Sequence, residues 1–225
     1  MKIVAYTHYE NERKRIEGIA REAGFEVGEK PDFVITYGGD GTILEAERTY
    51  ASVPKIPVRK IEIKSRCKNY SLEELGEILG KIKGKEYKVE EWAKVGGEVN
   101  GKKLVGLNEI QVHNKNPSQA LRFMVYADGK PLEVIGDGVV VATPYGSTAY
   151  YHALGYKPFD KGLRAGFNNT IPKIGYLEVK DIVEVKILRE DGLVIADNDS
   201  NMIQVAQGDL IRIRQSKEKA RFVSV

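Results

Sequence analysis

An apolar run, Asp32 to Tyr37, leads directly into Gly38-Gly39-Asp40-Gly41-Thr42, and a helical pattern through Ile43, Leu44 and Ala46 follows at once. No other feature limits the fold of this chain as much. Strand, glycine turn and helix in that order belong to open sheets, which bind ligands at the carboxyl ends of their strands. Three glycines let the backbone turn tightly and approach a phosphate closely. Their N–H groups, with the helix N-terminus behind them, can cradle an anion. A carboxylate inside that cradle repels phosphate, so Asp40 suits a base or orienter for a hydroxyl that attacks one. The competing reading is a plain turn in which Asp40 caps the helix.

The neighbouring residues repeat the alternation. Lys2 to Thr7 reads as a strand, Glu10 to Ala23 as a helix with Ile16, Ile19 and Ala20 on one face, and Gly24 as its stop. Val53 to Ile63 reads as a third strand entered past Pro54 and Pro57, and Ser71 with Glu74 has capping-box spacing ahead of another helix. Near Gly84 the character changes to period two with hairpin turns at Asn100-Gly101 and Asp128-Gly129. Strands are expected over 104–113, 121–127, 139–142, 177–188, 193–197 and 210–214, with a helical interruption after 142. The fold class is therefore α/β. A Rossmann-like parallel-sheet domain over 1–84 precedes a β-rich, β-sandwich-like domain over 85–225, and with no linker between them the two are expected to share a cleft.

Composition narrows the function. Of 225 residues, 35 are basic and 32 acidic, a net of +3 that is too even for a protein devoted to gripping nucleic acid or an anionic membrane. The lone Cys67 excludes an internal disulfide and a cysteine zinc cage, and suits a reducing cytoplasm. Met1 to Arg15 does not read as a signal peptide, and no apolar run approaches the ~18 residues of a membrane span. His8, His113 and His152 lack ligand spacing, so no metal site is expected, and Asp197-Asn198-Asp199 reads as a solvated hairpin.

Two further motifs carry chemistry. Gly136-Asp137-Gly138 precedes a strand and then Thr143-Pro144-Tyr145-Gly146-Ser147-Thr148-Ala149-Tyr150, where a helix start is expected to offer free amides. The plainer alternative there is a cap at Ser147 and a tight turn at Asp137. Asn108-Glu109 interrupts an apolar strand, so one of the pair should be buried, and an amide with a carboxylate can bind ribose hydroxyls.

Together these motifs resemble the NAD kinase family. Gly38 to Thr42 matches its first motif, Asn108-Glu109 its Asn-Glu pair, and Asp137-Gly138 through Tyr150 its second motif, over roughly Lys2 to Gly155. The first motif is shared with diacylglycerol and sphingosine kinases and the second is far more specific. The resemblance implies phosphoryl transfer from ATP or polyphosphate to the adenosine 2′-hydroxyl of NAD, with Mg²⁺ carried on the donor. It implies Asp40 as the catalytic residue and Gly38, Gly39, Gly41 and Thr42 on donor phosphates and the NAD pyrophosphate. Asn108 and Glu109 would hold the ribose, and Asp137, Thr148, Ala149 and Tyr150 would line the dinucleotide pocket. It also implies a cytoplasmic homo-oligomer, dimer or tetramer. The sequence departs from the family where Lys60 to Tyr70 lacks the usual Leu-Gly-Phe segment. It departs again at Ala153, at Gly155-Tyr156, at Asn168 to Pro172, and at Asp197-Asn198-Asp199 in place of Asp-Gly-Gln. The rivals are a kinase of the same superfamily with a lipid or sugar acceptor, and a non-catalytic NAD-binding regulator.

Overall fold

The computed structural model describes residues 1–59, 66–127 and 129–225. Residues 60–63 of the third expected strand, and Asp128 of the second hairpin turn, lie outside them. The chain forms two compact units, Met1–Trp92 with Lys219–Val225, and Ala93–Glu218.

In the first unit, β1 (Lys2–Tyr6), α1 (Glu10–Glu22), β2 (Glu26–Val27), β3 (Phe33–Tyr37), α2 (Asp40–Thr49), β4 (Lys55–Val58) and α3 (Leu75–Lys83) follow one another. The strands pair in parallel in the order β2-β1-β3-β4. All five residues of β3 are buried, as a central parallel strand covered on both faces requires. Ile16 and Ala20 of α1 join Ile3, Ile35, Ile56 and the α3 residues Leu75, Ile78, Leu79 and Ile82 in one core. The Ser71–Glu74 capping box is present, with Ser71 N–H donating to Glu74 Oε2 at 2.7 Å and Glu74 N–H to Ser71 Oγ at 3.3 Å. The helix proper begins later than the sequence suggests, at Leu75, after a turn.

In the second unit, strands β5 (Lys88–Val99) to β16 (Leu210–Ser224) build two antiparallel sheets, apart from the ends of β5 and β16 that belong to the first unit. One holds β7 (Glu109–Asn114), β10 (Gly138–Ala142), β11 (Leu163–Asn168), β12 (Leu177–Val179), β14 (Gly192–Ala196) and β15 (Ile203–Val205), in the order β12-β11-β10-β7-β14-β15. In the other, β13 (Ile182–Arg189) lies between β16 and β8 (Leu121–Ala127), and β8 pairs with β9 (Lys130–Gly136). The β5–β6 hairpin (β6, Lys102–Gly106) turns at Asn100-Gly101 as predicted. Val112, Val139, Val141 and Val194 from one sheet pack with Phe123, Val125, Val185 and Ile213 from the other in a shared core, as in a sandwich. The expected α/β class, with a parallel sheet and a separate β-rich part, is what the chain adopts.

Two expected strands are each divided. The span 104–113 breaks between β6 and β7 at Leu107-Asn108, because a carboxylate 90 residues away binds the amides there. The span 177–188 breaks at Lys180-Asp181, where the chain passes from one sheet to the other. The last expected strand, 210–214, continues to Ser224, and its final residues pair Phe222 with Lys55 of β4.

Candidate functional site

The glycine loop lies, as expected, between β3 and α2. Gly38 has φ +154°, and a Cβ there would meet Thr42 Oγ1 at 2.3 Å, so only glycine lets Thr42 fold back against the loop. Thr42 is buried, whereas Gly39, Asp40 and Gly41 are exposed. Gly39 is the cap residue of α2 and Asp40 its first helical residue, with no side-chain cap hydrogen bond. Asp40 therefore stands inside the first turn and not at the cap position. Its carboxylate instead accepts a hydrogen bond from Arg59 Nη2, at 2.5 Å. Arg59 follows β4 directly, with its side chain 4% exposed against 59% for Asp40. Its Nε donates to Asn69 Oδ1 at 3.0 Å, and its backbone is pinned by a bridge in which Arg59 N–H donates to Tyr70 O and Tyr70 N–H to Pro57 O, both at 2.8 Å. Reading the sequence missed Arg59. Its only local signal is a charge at the end of an apolar strand, the place where open sheets put functional side chains.

In the second unit, Asn108 is the hub. Asp197 has φ +50° and accepts N–H groups from Leu107, Asn108 and Glu109 at 2.8, 2.7 and 3.1 Å. The expectation of a merely solvated hairpin at Asp197 fails, because three converging amides make a cradle for its carboxylate. From the other side, Thr143 N–H donates to Asn108 O at 2.8 Å and Thr143 Oγ1 to Leu107 O at 2.6 Å. A Cβ on Gly146 would lie 2.2 Å from Asn108 O, so the second motif packs directly on the Asn-Glu pair.

That packing overturns the expectation of free amides after Pro144. Gly146 N–H donates to Thr143 Oγ1, Ser147 N–H to Pro144 O and Ala149 N–H to Gly146 O. Only a 3₁₀ turn, Gly146–Thr148, and four helical residues, Tyr150–Ala153, form there. Ser147 caps neither; its hydroxyl is buried, bonded to Pro144 O at 2.7 Å and accepting Phe159 N–H at 3.2 Å.

Asn108 and Glu109 are both buried, not one of the two, because the break at 107–108 abolishes the strict alternation of a strand. Glu109 Oε1 accepts from Gln111 Nε2 at 3.2 Å, while Oε2 is buried with no hydrogen-bond partner. Burial, and secondarily the Asp197 charge, push its carboxyl up to about 8, so it is protonated at neutral pH. Asp137 sits in the turn between β9 and β10 and accepts from Asn169 Nδ2 at 3.2 Å. Gly138 beside it has φ +153°, and a Cβ there would strike Val112 O at 2.0 Å. The Tyr150 hydroxyl accepts from Asn168 Nδ2 at 3.1 Å. Burial raises its pKa, and the Asp137 and Glu109 carboxylates, both near enough to act on it, raise it further. Thr148 is exposed and Ala149 half-buried beside it. Asn108, Glu109, Asp137 and Tyr150 are thus gathered in one unit. The Asn168 side chain that bonds the Tyr150 hydroxyl also meets His113 Nε2 at 3.3 Å.

Residues 107–225 match the ATP-NAD kinase C-terminal domain. The chain belongs to the NAD kinase family. It is 32% identical to the NAD kinase of Thermoplasma volcanium over 206 residues, 86% of this chain and 74% of that one. It is 29% identical to a bifunctional NADP phosphatase/NAD kinase of Methanococcus maripaludis over 87% of this chain, and spans only 37% of that protein. The fold superposes on an Archaeoglobus fulgidus NAD kinase solved with ATP, with a TM-score of 0.84 at 22% identity, covering 99% of this chain and 93% of that one. The part matched to the NAD kinase C-terminal domain contains Asn108, Glu109, Asp137 and Tyr150, and the glycine loop precedes it. The segment in which this chain departs from the family, Lys60 to Tyr70, lies mostly outside the described residues.

Proposed function

We propose that this protein transfers the terminal phosphoryl group of ATP or polyphosphate to the adenosine 2′-hydroxyl of NAD and so makes NADP. The observation that carries the reading is Asp40: a solvent-open carboxylate at the start of a helix, behind a glycine loop, held from beneath by a buried guanidinium. Gly39, Gly41 and Thr42 hold the donor phosphates and the pyrophosphate through backbone amides and the helix N-terminus, while Gly38, whose own N–H donates to Val58 O, makes the turn that lets them approach. Asp40 accepts the proton of the 2′-hydroxyl as its oxygen attacks the terminal phosphorus. The bond to the bridging oxygen breaks, and ADP or shortened polyphosphate leaves with that oxygen's electron pair. Asn108 and Glu109 bind ribose hydroxyls, and a protonated Glu109 has a proton to donate at neutral pH. Asp137, Thr148, Ala149 and Tyr150 line the dinucleotide pocket.

Mg²⁺ accompanies the donor on its phosphates, where it neutralises charge. Among the described residues no helix is long and apolar enough to cross a membrane. We place the protein in the cytoplasm as a dimer or tetramer of identical chains, with small molecules and no nucleic acid or membrane as partners.

The test is incubation with NAD and either Mg-ATP or polyphosphate, with NADP read by an NADP-specific dehydrogenase. NADP formation with one donor supports the reading and identifies the donor. NAD binding without NADP from either donor overturns it in favour of a regulator. Neither binding nor NADP directs the search to lipid or sugar acceptors.

A further inference from the structure

Asp40 poses an electrostatic problem. Its charge sits in a cradle built for a polyphosphate, and like charges a few ångströms apart repel strongly where water is displaced. The first unit contains the countercharge. Arg59 is buried, Asp40 is not, and the guanidinium reaches the carboxylate while its Nε is tied to Asn69 and its backbone to Tyr70. A guanidinium donates from several N–H groups in one plane, so Arg59 can hold Asn69 and Asp40 at once in fixed geometry, which a single ammonium cannot. It engages Asp40 Oδ1, one of two carboxylate oxygens.

We infer that Arg59 is a positioning residue for phosphoryl transfer: it orients the Asp40 carboxylate toward the attacking hydroxyl and cancels its charge against the donor phosphates. The inference rests on the activity proposed above and adds to it a residue that acts through Asp40. It separates two functions, charge and geometry, that different substitutions address.

The experiment measures kcat and the KM for ATP, at saturating NAD and Mg²⁺, in Arg59→Met, Arg59→Lys and Asn69→Ala, with melting temperatures. Loss of a fixed orientation in Arg59→Met should lower kcat by about 30-fold or more, and loss of the countercharge should raise the ATP KM by about 5-fold or more. Arg59→Lys restores the charge without the fork, so the ATP KM should return to near the wild-type value while kcat stays low. Asn69→Ala, which leaves the guanidinium in place but loosens it, should lower kcat with little change in the ATP KM. It keeps the test open if Arg59→Met does not fold. In an Asp40→Asn background, Arg59→Met should lower kcat no further, because the residue it orients is gone. A merely structural arginine would lower both backgrounds alike.

Folded Arg59→Met with wild-type kcat and KM overturns the inference, and so does an undiminished kcat penalty in Asp40→Asn. If the wild-type protein forms no NADP, the proposed activity fails on its own. Mg-ATP binding by calorimetry then decides the charge role: weaker binding in Arg59→Met rescued in Arg59→Lys retains it, and equal affinities overturn it.

Discussion

Glu109→Gln should make the protein less sensitive to alkali, by an amount that follows from the burial of one carboxyl group. The Glu109 side chain is 4% exposed in the folded chain, one of its oxygens has no partner, and the Asp197 carboxylate lies nearby. Its pKa rises from an ordinary 4.5 to about 8. Between those values the folded protein keeps a proton that the unfolded chain has released, so stability falls as pH rises, by about 1.4 kcal/mol per pH unit. The loss flattens above the folded pKa, because both states are then ionised. Integrated from about pH 6 to about pH 9, Glu109 alone costs on the order of 3 kcal/mol. Glutamine has nearly the same shape, can keep the bond from Gln111, and cannot ionise. Urea denaturation of wild type and Glu109→Gln at about pH 6, 7, 8 and 9 isolates the term, since every other titrating group is common to both. The difference in unfolding free energy should grow in favour of Glu109→Gln by on the order of 3 kcal/mol across that range. Parallel pH dependences in the two proteins would refute the reasoning and mean that Glu109 ionises freely in the folded state.

Asp40→Asn should cut turnover by on the order of 10²–10⁴ in an initial-rate assay, because an amide cannot accept the hydroxyl proton. Its melting temperature should fall, because the buried Arg59 guanidinium loses its charged partner while keeping its bond to Asn69; full activity would remove Asp40 from the mechanism. Asn108→Ala should weaken NAD binding in calorimetry by about 1 kcal/mol or more with ATP affinity unchanged, and an unchanged NAD affinity would count against its ribose contact. Gly138→Ala should destabilise by about 3 kcal/mol or more, because its Cβ would meet a carbonyl oxygen of β7, whereas Gly129→Ala, with nothing within 4 Å of its Cβ, carries only the strain of its positive φ. Similar melting temperatures for the two variants would show that the chain relaxes around Gly138.

What could be read in the sequence was what is local. The β3–loop–α2 unit is contiguous, its glycines mark the turn, and its apolar run marks a buried parallel strand, so loop and helix fell where expected. The Asn100-Gly101 hairpin was legible for the same reason. What was missed depends on distant partners. The break at Leu107-Asn108 is made by Asp197, and Arg59 acquires its role from Asp40 and Asn69, each well separated from it along the chain. The β11 strand was overlooked because its sequence, Leu-Arg-Ala-Gly-Phe-Asn, has weak strand propensity, and Gly166 is needed where the Tyr156 ring lies 2.7 Å from any Cβ. The amides after Pro144 looked free because nothing in the local pattern says that Thr143 will turn back to occupy one of them.

The final residues of β16 bear on how this protein is made. Phe222 pairs with Lys55, Val223 belongs to the core of β1, β3 and β4, and Val225 N–H donates to the Tyr70 hydroxyl at 2.8 Å. Residues 219–225 leave the ribosome after the whole of the second unit, so the first unit emerges with one strand of its sheet still unsynthesised. Until then the flank of β4 presents open backbone groups and an unfilled apolar seat, a surface on which a nascent chain can pair with the wrong strand. The second unit has all of its strands, the first part of β16 included, before residues 219–225 are made. The part of the chain that carries Asp40 therefore gains one strand of its sheet only after the whole of the second unit has been made.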